Sequence, residues 1–194
     1  MRFQFFCGVF SRMPASTTSV WGSRFAVSAP NWFSRRPFTA RFAWRCLQPD
    51  CGGILIVFDS DDDCPRDLAP QIEAWARTET GAVPCGVVMA HREYESWFLP
   101  SLKALRGVRG IVMDAAEHAT PEVPRNAKGE LRRHMLSGRG YSESVDQAAM
   151  TAKMDFAAAH RGCRSFRKMV KAFGDVVGDM GVSLASWPPG VWNV

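Results

Sequence analysis

The sequence predicts an α/β fold with a small parallel sheet flanked by helices. Residues 54–58 and 84–91 are two mostly apolar runs of strand length, and the segment between them has a helical pattern. The first run is apolar at every position, which indicates a strand buried on both faces, as in parallel sheets. Strand, helix and strand in this order form a βαβ unit. At 194 residues the chain provides a core for one domain with an appendage.

An acidic segment, Asp59-Ser60-Asp61-Asp62-Asp63, follows the first predicted strand. It lies where the strand leaves the sheet, which is the edge at which open α/β folds bind ligands. Two carboxylates about 4 Å apart repel by roughly 4 kcal/mol at an effective dielectric constant near 20, so the group needs solvent or a cation. Mg²⁺ (or Mn²⁺) is suitable because it takes one or two carboxylates and completes its shell with water and phosphate oxygens. We therefore expect a metal site at Asp59, Asp61 and Asp63.

The acidic pattern is not unique to one kind of site. Asp is common in turns and helix caps, so an acidic loop that binds no metal is one alternative. A hydrophobic strand followed by Asp-x-Asp also opens phosphatases of the haloacid dehalogenase type, and it occurs in metal-dependent glycosyltransferases and in Toprim domains. The pattern alone therefore indicates a metal more strongly than it indicates a reaction.

The positive charge of the chain belongs to its first quarter. The whole chain has a net charge of +5, but residues 1–49 contain seven Arg and no Asp or Glu, which leaves −2 for the rest. This first segment is rich in Phe, Trp and Ser without a sustained period, as in a leader peptide. Arg outnumbers Lys 19 to 5, which suggests GC-rich coding DNA. We therefore also consider a frameshifted or misannotated start over residues 1 to about 46.

Several features are not predicted by the sequence: a zinc site, a membrane span and a glycine-rich phosphate loop. The six Cys show no CxxC or Cys/His spacing, so they do not predict zinc. They fit a reducing cytoplasm better than a disulfide framework. No stretch approaches the roughly 20 apolar residues that span a bilayer. No glycine-rich phosphate loop of the P-loop or Rossmann type is present.

The pattern after the acidic segment predicts a helix from Asp67 to about Glu79, ended by Gly81, and then the second strand. A further helix is expected from about Glu93 to Leu105. Its aromatic and leucine side chains are expected in the core rather than as a platform for stacked bases. These side chains are Tyr94, Trp97, Phe98, Leu102 and Leu105.

Glu93 and Glu95 follow the second predicted strand directly. If the two strands are parallel neighbours, these glutamates lie at the same sheet edge as Asp59 and Asp61. They would then serve as further metal ligands or as a base that activates water. The alternative is that they are ordinary acids in the first turn of a helix.

The remainder of the chain is predicted to be mostly helical. A loop over 107–127 precedes a short helix over Lys128–Met135, with Lys128, Arg132 and Arg133 exposed. Another helix covers Val145–Lys153, with Ser142 or Ser144 as its cap. We expect an α/β domain over 50–178 and a loose tail over 179–194.

Residues 164–177 predict a strongly amphipathic helix that forms a C-terminal extension of the domain. A basic helix face is commonly just solvated. Next to a Mg²⁺ site it would instead hold a phosphate backbone, since phosphate contacts dominate nucleic-acid affinity. The candidate nucleic-acid-binding residues are Arg164, Arg167, Lys168 and Lys171.

Four segments, at 58–65, 91–99, 141–147 and 164–168, together resemble one family. They are similar to an uncharacterised bacterial family of Toprim-like proteins, often encoded beside AAA-type ATPases and suspected in anti-phage defence. The resemblance spans about residues 52–177 and implies Mg²⁺-dependent nucleic-acid chemistry with an AAA ATPase partner. It also implies that Asp59 and Asp61 form a metal-binding Asp-x-Asp pair, with Glu93 or Glu95 as the further acid.

The chain departs from the Toprim pattern at its start. Toprim domains open with a strand that ends in a Gly/Glu-rich motif, and nothing in residues 1–49 matches it. This departure predicts an unpaired sheet edge and raises the alternative of an inactive chain.

The sequence thus predicts a metal-dependent nuclease subunit of the cytoplasm with catalytic residues Asp59, Asp61, Glu93 and Glu95. Two alternatives stay open. One is a haloacid-dehalogenase-type phosphatase with Asp59 as nucleophile and Asp61 as acid and base. The other is a non-catalytic module that binds a partner protein.

Overall fold

The computed structural model describes residues 4–11, 27–28 and 51–193. These residues contain a four-stranded sheet with the strand order β2-β1-β3-β4. The strands are β1 (Gln4–Ser11), β2 (Val27–Ser28), β3 (Cys51–Asp59) and β4 (Cys85–Ala90). The two strands predicted from the apolar runs, β3 and β4, are parallel, with Asp59 opposite Ala90. Both strand ends that precede acidic residues therefore lie at one edge of the sheet.

The sheet edge that the sequence predicts to be unpaired has a neighbour. β1 runs antiparallel to β3, with Phe6 opposite Val57, so backbone groups on both sides of β3 have a neighbouring strand. The sheet is therefore mixed, and only its β3–β4 part is parallel as predicted. The rest of residues 1–49 lies outside the described residues, so the expectations of a leader or a misannotated start stay predictions.

The described helices are α1 (Pro65–Thr80), α2 (Ala127–Arg133), α3 (Glu143–Thr151), α4 (Phe156–Gly162) and α5 (Arg164–Asp179). The predictions of α1, α2, α3 and α5 are confirmed, with bounds that differ by a few residues. α1 begins two residues before the predicted cap, with Pro65 in its first turn, and it ends at Gly81, whose φ of 59° suits glycine. The sequence pattern does not predict α4, which the Asp155 side chain caps by accepting a hydrogen bond from the Ala158 N–H.

β3 is buried on both faces because a helix covers each one. Leu55 and Val57 belong to the larger core with α5, whereas Ile54, Ile56 and Phe58 pack in a second core with residues of α1. Each such side chain contributes roughly 1.5–3 kcal/mol when it is fully removed from water. Glycine lets α5 approach closely, because a Cβ at Gly53 or Gly86 would lie 2.7 or 3.0 Å from Val176.

The prediction of a regular helix over 93–105 is wrong. The chain instead forms short 3₁₀ segments at Tyr94–Trp97 and Leu99–Ser101, followed by turns. Pro100 accounts for the difference, since it has no N–H to donate and its ring crowds the preceding turn of an α-helix. The expected core role of the aromatic and leucine side chains is confirmed, because each is at most 6% exposed.

The C-terminal segment packs against the domain, which differs from the loose tail that its composition predicts. Trp187 donates a hydrogen bond from its indole Nε1 to the Val170 carbonyl at 2.8 Å, and it packs beside Phe173 and Trp192. In the described part of the chain, no helix has both the length and the apolar character needed to cross a membrane.

Candidate functional site

The carboxyl ends of β3 and β4 are joined by three hydrogen bonds. The Ser60 N–H donates to the Ala90 carbonyl at 3.0 Å, the Asp61 N–H donates to the Arg92 carbonyl at 3.0 Å, and the Arg92 N–H donates to Ser60 Oγ at 2.7 Å. Asp61 and Arg92 have φ angles of 47° and 62°, which are uncommon for residues other than glycine. Strained backbone of this kind concentrates at functional sites. The two loops therefore form one connected rim at the sheet edge.

Four carboxylates surround the ammonium group of Lys128 at this rim. The Lys128 Nζ lies 3.5 Å from Asp59, 3.7 Å from Glu93, 3.8 Å from Glu95 and 2.7 Å from Glu143. We call these four acids the acidic cluster. They come from β3, the segment after β4 and helix α3, while Lys128 comes from α2. Four chain segments thus converge on one charged group.

Asp59 is 1% exposed, and only one of its two carboxylate oxygens accepts a hydrogen bond from the described residues. Its Oδ1 accepts a hydrogen bond from the Tyr94 N–H at 2.7 Å, but its Oδ2 has no hydrogen-bond donor among the described residues. Burial raises the pKa of Asp59 well above its ordinary value, and the charge of Glu95 adds to this, while Lys128 acts in the opposite direction. The Asp59 carboxylate is therefore short of positive partners.

Glu95 likewise has one carboxylate oxygen that accepts hydrogen bonds and one that has no donor among the described residues. Its Oε1 accepts hydrogen bonds from the Tyr141 hydroxyl at 2.7 Å and from the Gln147 side-chain amide at 3.1 Å, whereas its Oε2 has no donor in the described part of the chain. Glu95 is 0% exposed, and burial raises its pKa to about 7 although Lys128 and Tyr141 lower it. Tyr141 and Gln147 fix the carboxylate so that Oε2, which has no hydrogen-bond donor, lies 3.8 Å from Lys128 Nζ.

Glu93 and Glu143 form the more solvent-exposed side of the cluster. Glu93 Oε2 accepts a hydrogen bond from the Lys128 N–H at 2.9 Å, and the Glu143 side chain is 34% exposed. Burial alone would lower the pKa of Lys128, but the charges of Glu95 and Asp59 raise it above its ordinary value. The neighbouring acids therefore favour the charged form of Lys128.

Of the three predicted metal ligands of the acidic segment, one, Asp59, is a member of the acidic cluster, and the metal site at all three stays a prediction. Asp59 lies in the cluster, but Asp62 is exposed and pairs with Arg125. Asp61 is half-buried, and burial raises its pKa while the charge of Lys128 lowers it. Within the described residues, neither the Asp61 nor the Asp63 carboxylate forms a hydrogen bond or ion pair with the cluster. By contrast, Glu93 and Glu95 lie at the same edge as Asp59.

The predicted exposure of Lys128 is wrong, because its side chain is only 17% exposed. The reason is the start of α2, where the Asn126 side chain accepts a hydrogen bond from the Gly129 N–H and sets the helix against the cluster. Composition carries no signal for this role. The sequence pattern does not single out Tyr141, Glu143 and Gln147 as site residues either, although they lie in the third segment that carries the family resemblance.

The four basic residues of α5 are exposed, as predicted, but they are not part of the cluster. Lys171 pairs with Asp175 at 2.7 Å, and Arg167 donates hydrogen bonds to the carbonyls of His160 and Arg161. The rim has arginines of its own. The Arg92 guanidinium donates to the Val123 carbonyl at 2.6 Å, and Arg125 joins the rim through its pair with Asp62.

The chemistry of the cluster fits a hard divalent cation with few protein ligands. Among the described residues, no three His, Cys, Asp or Glu side chains are arranged as a ready-made metal site. Two buried carboxylate oxygens, Asp59 Oδ2 and Glu95 Oε2, nevertheless lack hydrogen-bond donors there. Mg²⁺ needs only one or two carboxylates and retains several waters. Asp59 and Glu95 are thus suitable ligands for Mg²⁺ or Mn²⁺.

Comparison with known protein families found a match over residues 25–173 to the family described as Domain of unknown function (DUF4276). The matched range includes all four acids of the cluster, Lys128 and most of α5. The searches of the curated proteins and of the solved structures each found no match.

Proposed function

The chain belongs to the DUF4276 family, and we propose that its acidic cluster is the active site of a Mg²⁺- or Mn²⁺-dependent nuclease. The observation that supports this proposal is that two buried carboxylate oxygens, Asp59 Oδ2 and Glu95 Oε2, have no hydrogen-bond donor among the described residues and only distant ion pairs with Lys128. Unpaired buried polar atoms are rare, and a bound ion is one of the common reasons for them.

The charge of the cluster also supports a cation. Four carboxylates face one ammonium group, so three negative charges remain in excess when all four acids are ionised. A buried charge costs several kcal/mol unless it is paired. The raised pKa values of Asp59 and Glu95 reflect this cost. A divalent cation would lower both pKa values and remove most of the excess charge.

The roles of the residues follow from their contacts. Asp59 and Glu95 would hold the cation, while Tyr141 and Gln147 orient Glu95 through its other oxygen. When bound, the cation would polarise a phosphate group and acidify a water molecule. Glu93, which is more exposed, would accept the proton of the attacking water. The water oxygen would bond to phosphorus, the ester P–O bond would break, and the leaving oxygen would take up a proton.

Phosphate contacts would come from the basic side chains outside the cluster. Arg125 on the rim and Arg164, Arg167, Lys168 and Lys171 on α5 are exposed. The four on α5 are spaced i, i+3, i+4 and i+7 and so share one helix face, which suits an extended polymer, because backbone contacts position a nucleic acid without reading its sequence. We therefore favour nucleic acid over a small phosphoester as the substrate.

The family resemblance extends this proposal. A Toprim-like domain paired with an AAA ATPase in anti-phage defence, in the cytoplasm, is the setting that we propose for the nuclease. The phosphatase alternative would form a covalent aspartyl-phosphate on Asp59, whereas the nuclease would not, so a test for phosphorylated Asp59 distinguishes them. A chain that lacks activity and binds only its partner protein is the non-catalytic alternative.

A cleavage assay with matched variants tests the proposal. The purified chain is incubated with single- and double-stranded DNA and RNA in Mg²⁺, in Mn²⁺ or in a chelator. We expect cation-dependent cleavage that falls roughly 100-fold or more in Asp59→Asn and Glu95→Gln. Asp62→Asn, which changes an exposed acid of the same loop, should retain cleavage. Cleavage that withstands both cluster substitutions would refute the assignment of the site.

A further inference from the structure

We infer that Lys128 is an internal counter-ion which holds the place of the divalent cation until that cation binds, and whose ammonium group then moves away from Asp59 and Glu95. This inference rests on the proposed function, since it needs a cation at Asp59 and Glu95. It adds a regulatory role for Lys128 that the nuclease proposal does not require.

The distances around Lys128 show which acids it hydrogen-bonds and which it only neutralises by its charge. Hydrogen bonds from an ammonium group to a carboxylate are about 2.7–2.9 Å long. Only Glu143, at 2.7 Å, meets this length, whereas Asp59 and Glu95 lie 3.5 and 3.8 Å away. Lys128 therefore reduces the repulsion among the acids without occupying Asp59 Oδ2 or Glu95 Oε2.

Lys128 and a divalent cation would exclude each other from the space beside Asp59 and Glu95. Both would lie among the same oxygens, and a charge of +2 repels an ammonium group twice as strongly as a unit charge does. The backbone of Lys128 is fixed, because its N–H donates to Glu93 and Asn126 caps the helix. The flexible four-carbon side chain is thus the part that would move.

Glu143 gives the displaced ammonium group a partner on the solvent side. The Glu143 side chain is 34% exposed and already forms the shortest contact with Lys128. An ammonium group held by Glu143 alone would face incoming phosphate rather than Asp59 and Glu95. It would then stabilise the negative charge that develops on phosphate during hydrolysis.

Two measurements on the full chain test this role without relying on activity. In the first, Mn²⁺ binding is followed by electron paramagnetic resonance in wild type, Lys128→Met and Lys103→Met. Removing a competing cation should tighten Mn²⁺ binding by roughly tenfold or more in Lys128→Met. Lys103, an exposed lysine that pairs with Glu117 at 3.3 Å, is the matched control and should bind as wild type does.

In the second measurement, an amine-reactive ester labels wild-type protein, and mass spectrometry of its peptides gives the acylation rate of each lysine. Saturating Mg²⁺ should accelerate acylation of Lys128 by about tenfold, because release from the cluster exposes the amine and ends its ion pairs with Asp59 and Glu95. Acylation of Lys103 should be unaffected by Mg²⁺.

Both results are required for the counter-ion role. The counter-ion role would be overturned if Lys128→Met bound Mn²⁺ no more tightly than wild type does. It would also be overturned if the acylation rate of Lys128 did not change with Mg²⁺. If Lys128→Met does not fold, as judged by circular dichroism, the acylation rate in wild type alone decides. Mn²⁺ binding that depends on Asp59 and Glu95 with a static Lys128 would refute only this inference. Absence of Mn²⁺ binding in every variant would also remove the cation from the proposed function.

Discussion

Two buried aspartates, Asp59 and Asp146, are each 1% exposed, yet their surroundings differ. Asp146 has a partner for both oxygens, since Oδ1 accepts a hydrogen bond from Arg139 at 3.0 Å and Oδ2 accepts one from the Ser142 N–H at 2.9 Å. Arg109 lies 3.6 Å away as a second cation. Asp59 has one oxygen without a donor among the described residues and shares a single lysine with three other acids.

The contrast teaches that burial alone does not identify a functional carboxylate. Asp146 joins the loop at Arg139 to the start of α3, and its hydrogen bonds account for its position there. Asp59 and Glu95 keep unpaired oxygens for which the described part of the fold offers no donor. A buried acid that remains partly unsatisfied is therefore the better candidate for ligand binding. Measurements of stability and metal binding test whether the two aspartates differ in this way.

The largest expected effect is a loss of stability with rising pH in the absence of divalent cations. Because burial raises the pKa of Glu95 to about 7, the folded state keeps a proton that the unfolded state loses near pH 4.5. The free energy of unfolding should therefore fall between about pH 4.5 and 7, by on the order of 3 kcal/mol. Urea denaturation at several pH values measures this change.

Glu95→Gln is the control for the pH dependence, because glutamine does not titrate. The difference in unfolding free energy between wild type and Glu95→Gln isolates the contribution of this one group from those of other acids and histidines. Saturating Mg²⁺ should reduce the loss in wild type. A wild-type minus variant difference that stays constant from about pH 4 to 8 would contradict the environment assigned to Glu95.

Asparagine substitutions should have opposite effects at the two aspartates. Asp146→Asn removes a charge that two arginines and a backbone N–H stabilise, so we expect a loss of about 2 kcal/mol. The arginines are partly exposed, which limits the effect. Asp59→Asn relieves a poorly paired charge, and at about pH 8 without metal it should leave stability unchanged or raise it by about 1 kcal/mol. Equal destabilisation by both substitutions, measured by urea unfolding, would remove the distinction between the two sites.

Tyr141→Phe should weaken Mn²⁺ binding by about tenfold, since it removes a donor that orients Glu95. Tyr94→Phe is the matched control, because the Tyr94 hydroxyl hydrogen-bonds with the Thr151 hydroxyl at 3.0 Å. Both variants lose one buried hydroxyl. Isothermal titration calorimetry with Mn²⁺ distinguishes them, and equal affinities would show that Tyr141 does not position the ligand.

The smallest expected effect concerns the strained backbone of the rim. Arg92 has a φ of 62°, a conformation that glycine adopts without cost, so Arg92→Gly should change stability by less than about 1 kcal/mol. The substitution also loses the hydrogen bond from the guanidinium to Val123, which offsets part of the gain. A loss of several kcal/mol on thermal or urea unfolding would mean that the guanidinium, not the backbone conformation, is the important feature.

The parts that the sequence predicts are those determined by local pattern. The apolar run at 54–58 specifies a buried strand, and the positions of Glu93 and Glu95 after the next strand follow from parallel pairing. The helix predicted over 93–105 is wrong because the apolar spacing continues through Pro100, where a regular α-helix is disrupted. Helix α4 is not predicted because its sequence, Phe156–Gly162, contains one large apolar side chain and three alanines and so shows no clear apolar period.

The rest of the site depends on contacts between distant segments. Lys128 reaches the cluster only because the chain between Leu102 and Asn126 returns α2 to the sheet edge, and no local pattern indicates such a return. Tyr141 and Gln147 act on Glu95 across 46 and 52 residues. A lysine among polar residues in a short helix predicts exposure from composition alone, although Lys128 lies among the acids of the cluster.

Direct measurement of Mn²⁺ binding is the sharpest test of the idea that the carboxylate oxygens of Asp59 and Glu95 without hydrogen-bond donors bind a divalent cation. Titration of wild type, Asp59→Asn, Glu95→Gln and Asp62→Asn is followed by electron paramagnetic resonance at about pH 8, where both acids would be ionised once the cation is bound. We predict a Mn²⁺ site in wild type and Asp62→Asn that is lost in both cluster variants. Binding that persists in Asp59→Asn and Glu95→Gln, or that is absent from the wild-type chain, would contradict the assignment.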